Sequence, residues 1–404
     1  MIVLVVDEIH YCTISRQHTG KICAMVQPCP FVDVSGTPYE RGRQHGAAVP
    51  QRVKRSIELY GGQLGELGYD AAAKSALIAE FAREIEHFGA HYIEEMRGIA
   101  DGAGVALEDI VMVNARTEVI AKARLVKNKP IEAQEELDDG CTGAIILPER
   151  SASGELIHGQ NWDWKAECAE TAIVLRVRRT DGPDFLTFVE AGGLARCGMN
   201  AAGISITANY LESERDFTQG GVPLALIRRK VLEQEHLAFA IKAVATTPKA
   251  CSNNMMLSTV KGFGIDFECA PDEAFPLYPQ DGMIVHANHW VGQIALTKIR
   301  DTGIPRVPES FYRDWRVRRL LDEAGRKLTV DDLKQAFFDD FLTPHSVCRP
   351  VRPNEAGNLS ATVAMVIMQP AKGIMEVAPL PAQNRVFTRY SLTEEPVLLA
   401  QAAE

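Results

Sequence analysis

The chain has 404 residues, of which 46% are hydrophobic and 24% charged, with a formal net charge of −10. These proportions are globular and exclude a disordered or fibrous chain. The acidic balance argues against nucleic-acid or anionic-membrane partners, which need clustered Lys and Arg, and no apolar run approaches the roughly 18 residues of a membrane span.

The opening run MIVLVVDEIHY is apolar but acidic and short, without the basic stretch and cleavage site of a secretory signal. Nine cysteines are scattered with no CxxC pair, the pattern of free thiols in a reducing cytoplasm. Residues 1–30 read as an N-terminal extension that need not be native, since Met25 offers another start. Order is expected from Phe31. Thr37, Pro38 and Glu40 supply an N-cap, a first-turn proline and a capping-box acid, so a helix starts near Pro38. Over residues 77–99 apolar side chains recur at helical spacing until the run DGAG, and a second helix is expected over 107–123. The polar run KNKPIEAQEELDD, residues 127–139, reads as an exposed linker.

After Cys141 the texture changes to short strand-like runs separated by turn signals: TGAIIL, ELIHGQNW, TAIVLRVRR, FLTFVEA and GISITANY. Helices are expected at PLALIRRKVLEQ and LAFAIKAVAT, strands at FGIDFEC and MIVHAN, and helices again over 310–325 and 329–340. The run ATVAMVIMQPAKGIMEVA reads as a hairpin turning at PAKG. The basic clusters RVRR (176–179) and RRK (228–230) read as solvated faces. Adjacent antiparallel strands between groups of helices suggest sheet layers covered by helices, rather than a doubly wound parallel sheet.

The run DDGCTG (138–143) places a thiol behind a glycine, after a linker and before a strand. An ordinary buried cysteine would suit a strand start. Cutting Gly140–Cys141 would instead leave the Cys141 thiol beside its own α-amine, whose ordinary pKa of about 7.7–8.0 lets it take the thiol proton near neutrality. Gly140 could adopt a strained conformation that opens its carbonyl to the thiol. In GQNWDW, strand alternation sends Asn161 and Asp163 to one face and Gln160, Trp162 and Trp164 to the other. In HANHW, His286 and His289 could bind a metal but lack a third ligand, whereas the Asn288 amide could stabilise an oxyanion. Arg349, in PHSVCRP, suits a buried positioning role. No GxGxxG supports a dinucleotide.

The runs GTPYERGRQHG, NARTE, GCTG, GQNWDW, HANHW and HSVCR occur in the order seen in the isopenicillin N acyltransferase family, which the chain resembles from about Phe31 onward. These are autoproteolytic N-terminal-nucleophile (Ntn) enzymes. The resemblance implies a four-layer αββα sandwich, two antiparallel sheets between helix layers, and a precursor that cuts itself before Cys141. Carried over, Cys141 is the nucleophile, Asp163 orients the α-amine, Asn288 is the oxyanion donor and Arg349 supports cleavage. Pro350 follows Arg349 where the family often has histidine.

The organisation expected is a helical segment over 31–140 and a catalytic segment over 141–404, forming one interwoven domain whose fragments stay associated. The expected activity is hydrolysis of a small amide, an N-acyl amine or N-acyl amino acid, without metal or organic cofactor. Asn161, Trp162, Trp164 and His289 are candidate pocket residues, and a homo-oligomer is compatible with the sequence. An acyl-CoA-dependent transferase on the same site, a non-catalytic binding protein of this fold and a metal hydrolase using His286 and His289 are the alternatives.

Overall fold

The structure, a computed structural model, describes residues 26–126, 140–353 and 359–399. The expected linker and the dispensability of residues 1–24 lie outside the described residues. Cys29 is already in the core, and its carbonyl accepts from Tyr390 Oη at 2.6 Å, so the fold reaches slightly ahead of Phe31.

The chain enters through β1 (Phe31–Ser35) and then runs through α1 (Pro38–Ala48), α2 (Pro50–Glu66), α3 (Ala71–Phe88), α4 (Ala90–Ala103), α5 (Leu107–Asn114) and α6 (Arg116–Val126). The α1 capping box between Thr37 and Glu40 is formed as expected. The single helix expected over 77–99 is two helices, because the chain is extended at Gly89, where the following His91 and Tyr92 rings crowd the space a side chain would need. The helix expected over 107–123 is also two. At the break, Asn114 Nδ2 donates to Ile110 O and Gly192 O, while its Oδ1 accepts from Leu194 N, all at 2.8–2.9 Å. Its amide thus ties the helix end to a distant turn, which local periodicity cannot reveal. Gly42 and Gly98 let α1 and α4 touch: a Cβ on either would lie 1.9 or 2.1 Å from a backbone carbonyl oxygen of the other helix.

The strands that follow are β2 (Gly140–Ile146), β3 (Ile157–Lys165), β4 (Ala172–Arg178), β5 (Phe185–Glu190), β6 (Cys197–Asn200) and β7 (Ile204–Tyr210). Helices α7 (Leu224–Leu232) and α8 (Leu237–Thr246) precede β8 (Asn253–Thr259), β9 (Phe263–Cys269), β10 (Ala274–Leu277) and β11 (Met283–His286). Then come α9 (Gln293–Lys298), α10 (Ser310–Glu323), α11 (Val330–Phe337), β12 (Arg352–Pro353), β13 (Leu359–Gln369), β14 (Ile374–Pro379), β15 (Thr388–Ser391) and β16 (Val397–Leu398). The sequence reading passed over β6 and β8, whose CGMN and NNMMLST lack the β-branched runs that mark strands.

Among the described residues the strands form two sheets. One is ordered β1-β4-β5-β6-β7-β8-β9-β10, and the other β11-β2-β3-β13-β14-β15-β16 with β12 beside β13. Pairing is antiparallel except that β1 runs parallel to β4. The first sheet is covered by α1–α8 and shares one core cluster with them, while α10 and α11 pack on β2, β3, β11 and β13 of the second. This is the αββα order. Its consequence is that β1 and six helices from before Gly140 share a core with strands from after it.

The two sheets meet through a partly polar seam. His158 Nδ1 lies 2.9 Å from Ser205 Oγ, its Nε2 lies 2.9 Å from Thr207 Oγ1, and Gln160 Nε2 donates to Ala208 O at 2.6 Å. Burial pushes His158 down to about 3, so the seam is bridged by a neutral ring.

Candidate active site

Gly140 and Cys141 open β2, in register with Asp163 and Trp162 of β3. Alternation sorts the side chains. Trp162 packs edge-on against Phe188 of the opposite sheet, with ring centroids 5.6 Å apart, and Gln160 and His158 also reach that sheet. Cys141, opposite Trp162, therefore directs its thiol between the sheets, and the side chain is 3% exposed. Asn161 and Asp163 face the α10–α11 side.

On that helix side the charges are paired. Arg349 Nε lies 3.1 Å from Asp163 Oδ2, and Arg349 Nη2 donates to Glu309 Oε1 at 2.6 Å. Thr362 Oγ1 donates to Asp163 Oδ1 and accepts from Arg349 N, both at 2.7 Å. Burial raises Asp163 to about 6, against the opposing pull of Arg349, Arg313 and the Thr362 hydrogen bond. Glu309 is also opposed by burial, yet Arg349 and Arg313 hold it below its ordinary range. Gly140 touches this pair: a Cβ there would lie 2.7 Å from Arg349 Nη2 and 2.8 Å from Asp163 Oδ2. Its φ is not positive, so the glycine serves close approach rather than the strained conformation expected from sequence.

The peptide unit of Cys141 is gripped from both ends. Its N–H donates to Asn288 Oδ1 at 2.8 Å, and Arg313 Nη1 donates to its carbonyl oxygen at 2.8 Å. Arg313 also donates to Thr142 Oγ1 at 2.9 Å and to Asn288 Oδ1 at 2.8 Å. Asn288 Nδ2 donates to Tyr210 O across the sheets at 2.9 Å. The Asn288 amide orientation is thereby fixed by its neighbours: the oxygen faces two donors and the nitrogen faces a carbonyl. Towards the Cys141 nitrogen, Asn288 is an acceptor.

The structure thus gathers Cys141, Asp163, Asn288 and Arg349 around one peptide bond. Of the candidate pocket residues, Trp162 and Trp164 share the thiol's face. Asn161 lies on the other face and donates to Phe337 O and Val347 O at 2.8 and 3.0 Å. His289 Nδ1 is 2.8 Å from Ser310 Oγ on the α10 side, and burial pushes it down to about 3. His286 Nε2 is 3.1 Å from Glu268 Oε1; Asp266 and Glu268 raise it to about 9 against its burial. Among the described residues no cluster of three metal-type ligands forms, and no helix is long and apolar enough to cross a membrane. Sequence reasoning missed Arg313 and Glu309. The one signal was a helix, SFYRDWRVRRLLDE, in which Arg313 shares its face with buried Val317 and Leu321.

The basic clusters depart from expectation. Arg176, Arg228 and Arg229 are 1%, 6% and 0% exposed, so RVRR and RRK are not simply solvated faces. Arg176 pairs with Asp33, and Arg229 with Glu95 and Glu233. Partners from other elements decide this burial.

The family model described as "Acyl-coenzyme A:6-aminopenicillanic acid acyl-transferase" matches residues 150–379, which include Asp163, Asn288 and Arg349. The chain is 27% identical over 328 residues to the acyl-coenzyme A:6-aminopenicillanic-acid-acyltransferase 40 kDa form of Emericella nidulans, covering 80% of this chain and 86% of that protein. It is 23% identical to an uncharacterized protein of Archaeoglobus fulgidus, covering 82% of this chain and 61% of that one. A solved conjugated bile acid hydrolase from Clostridium perfringens superposes with a TM-score of 0.45 and 13% identity, over 65% of this chain and 97% of that one.

Proposed function

This chain belongs to the acyl-coenzyme A:6-aminopenicillanic acid acyl-transferase family, and from that premise we propose that it is a self-cleaving Ntn enzyme that hydrolyses a small linear amide through an acyl-thioester on Cys141. The observation that carries the reading is the Gly140–Cys141 peptide N–H held by Asn288, with the Asp163–Arg349 pair packed against Gly140 and Arg313 holding the carbonyl on the far side of Cys141.

In self-cleavage the Cys141 sulfur attacks the Gly140 carbonyl carbon. The peptide C–N bond breaks, the nitrogen gains a proton, and water then releases the thioester. The nitrogen becomes the α-amine, a base within reach of the thiol. Asn288 Oδ1 would keep accepting one of its hydrogens, which orients the lone pair, and ionised Asp163 would hold the ammonium once Gly140 is no longer joined to it. With substrate, the thiolate forms the acyl-thioester, the ammonium protonates the leaving amine, and water completes hydrolysis. The Asn288 Nδ2 hydrogen that is not given to Tyr210 O would be the oxyanion donor; losing such a donor typically costs about 100- to 1,000-fold in rate. None of these steps calls for a metal or organic cofactor.

Transfer to an amine is the second reading, favoured by the name of the Emericella nidulans relative. Hydrolysis is supported by the acidic balance of the chain and by the pairing of Arg176 and Arg229 with carboxylates, since a CoA phosphate needs several free cations or a phosphate loop. Intact mass under denaturing conditions tests the nucleophile: two fragments meeting at Gly140/Cys141 are expected, co-eluting under native conditions. Product analysis with one acyl donor separates the reactions. Acid release independent of acceptor supports hydrolysis; strict dependence on acyl-CoA and an acceptor amine overturns it.

A further inference from the structure

The sheet-side face of Cys141 differs from its helix side in charge. Arg116, Arg196 and Arg228 are 8%, 8% and 6% exposed. Arg116 and Arg196 share Glu190, at 2.9 and 3.4 Å, and Glu190 also accepts from the Tyr60 hydroxyl. The Arg196 guanidinium carbon lies 3.7 Å from the centroid of the Trp162 ring, and Trp162 is the strand partner of Cys141. Arg228 is different. Among the described residues its guanidinium donates no hydrogen bond and forms no ion pair within 4 Å, and its Nε is fully enclosed.

Arg228 shares a face of α7 with Leu224, four residues earlier, whose N–H donates to Glu118 Oε1 of α6 at 2.8 Å. That bond ties the first turn of α7 to α6, the helix that also carries Arg116. The charges acting on Arg228 are those of Arg116, Glu118, Cys197 and Cys141, while burial pulls its pKa down only to about 10 and leaves it cationic at neutrality. Burial raises Glu118, whose Oε1 accepts from the Leu224 N–H. A buried, unpaired guanidinium costs free energy that a bound anion would recover.

We propose that Arg228 is the anion receptor of the substrate site, receiving the carboxylate of an N-acyl amino acid whose acyl carbon is presented to the Cys141 thiol. The proposal rests on the reading of Cys141 as nucleophile and narrows its substrate class. A guanidinium matches a carboxylate with two parallel N–H···O bonds, and a site built for that pairing rejects an analogue without the charge. Trp162 and the Arg196 lying over it would wall the space between thiol and carboxylate.

The test uses the full chain after self-cleavage, with N-acetyl-, N-hexanoyl- and N-phenylacetyl-glycine, each beside its neutral glycinamide. Wild type should favour the carboxylates on the order of 100-fold in kcat/KM, with the difference mainly in KM. Arg228→Gln should bring that ratio close to one, and Arg228→Lys should restore part of it. A neutral amide cleaved as well as its acid by wild type, or a preference that survives in Arg228→Gln, overturns the proposal. A turnover-independent readout is iodoacetamide labelling of Cys141, followed by mass shift of its fragment. The acids should slow labelling of wild type about tenfold more than the amides do, and the difference should vanish in Arg228→Gln. Equal protection by acid and amide overturns the anion receptor even if no pair turns over. Failure of self-cleavage in wild type strikes at the Cys141 reading instead.

Discussion

Arg349 and Arg228 stand on opposite sides of the β2–β3 pair, both buried, and their surroundings differ in kind. Arg349 is packed against two carboxylates, Asp163 and Glu309, and against Gly140. Among the described residues Arg228 has no ion-pair partner, and the charges that act on it include the Cys141 thiol. A paired buried cation belongs to the architecture, because removing it strands its anions. An unpaired buried cation costs stability in the free protein and suits a site completed by ligand. On the proposed reading, the difference is that the helix side would position the bond and the nitrogen, whereas the sheet side would select what meets the thiol.

The largest effect should come from the atom between the two sides. Cys141→Ala should remain one chain and have no turnover, as read by intact mass and product release. If that variant still splits at residue 140, an external protease makes the cut and the self-cleavage reading fails. Next in size is the contrast itself. Arg349→Met leaves Asp163 and Glu309 buried without their cation and should cost about 3–5 kcal/mol in urea unfolding of the precursor. Arg228→Met should cost nothing and gain up to about 1 kcal/mol, because it removes a buried charge with no ion pair. Equal losses in the two variants would erase the distinction.

A third measurement follows the titration of Asp163. Its carboxyl is raised to about 6 by burial, so it is ionised above that pH and neutral below. In the cleaved protein the new ammonium favours the ionised carboxylate, so turnover should fall on acidification at or below about pH 6, and Asp163→Asn should lose that limb together with most of the rate. Stability runs the other way. Between the unfolded value of about 3.9 and the folded value the native state holds the extra proton, so this group's contribution declines as pH rises through that window. An acid limb unchanged in Asp163→Asn would assign it to another group. A smaller loss than that of Arg349→Met is expected from Gly140→Ala. The added Cβ meets Arg349 and Asp163 at 2.7–2.8 Å, so precursor stability should fall by about 1–3 kcal/mol and self-cleavage should slow.

Local chemistry made much of this legible. The Thr37–Glu40 capping box fixed the start of α1, and alternation along GQNWDW placed Asp163 and Trp162 on opposite faces, because both are properties of adjacent residues. The order of motifs likewise pointed to Cys141, Asp163, Asn288 and Arg349, which the fold brings to one peptide bond. What the sequence could not determine is which partners meet across the chain. The Arg313 grip on Cys141, the Asn114 clamp on a distant turn and the direction in which Asn288 turns its amide all depend on residues about 80 to 170 positions away. The same holds for the arginines of RVRR and RRK. A run of basic residues looks solvated on its own, and only tertiary packing decided that Arg176 and Arg229 are buried with carboxylates and Arg228 without one, since the identity of a counterion is a long-range contact.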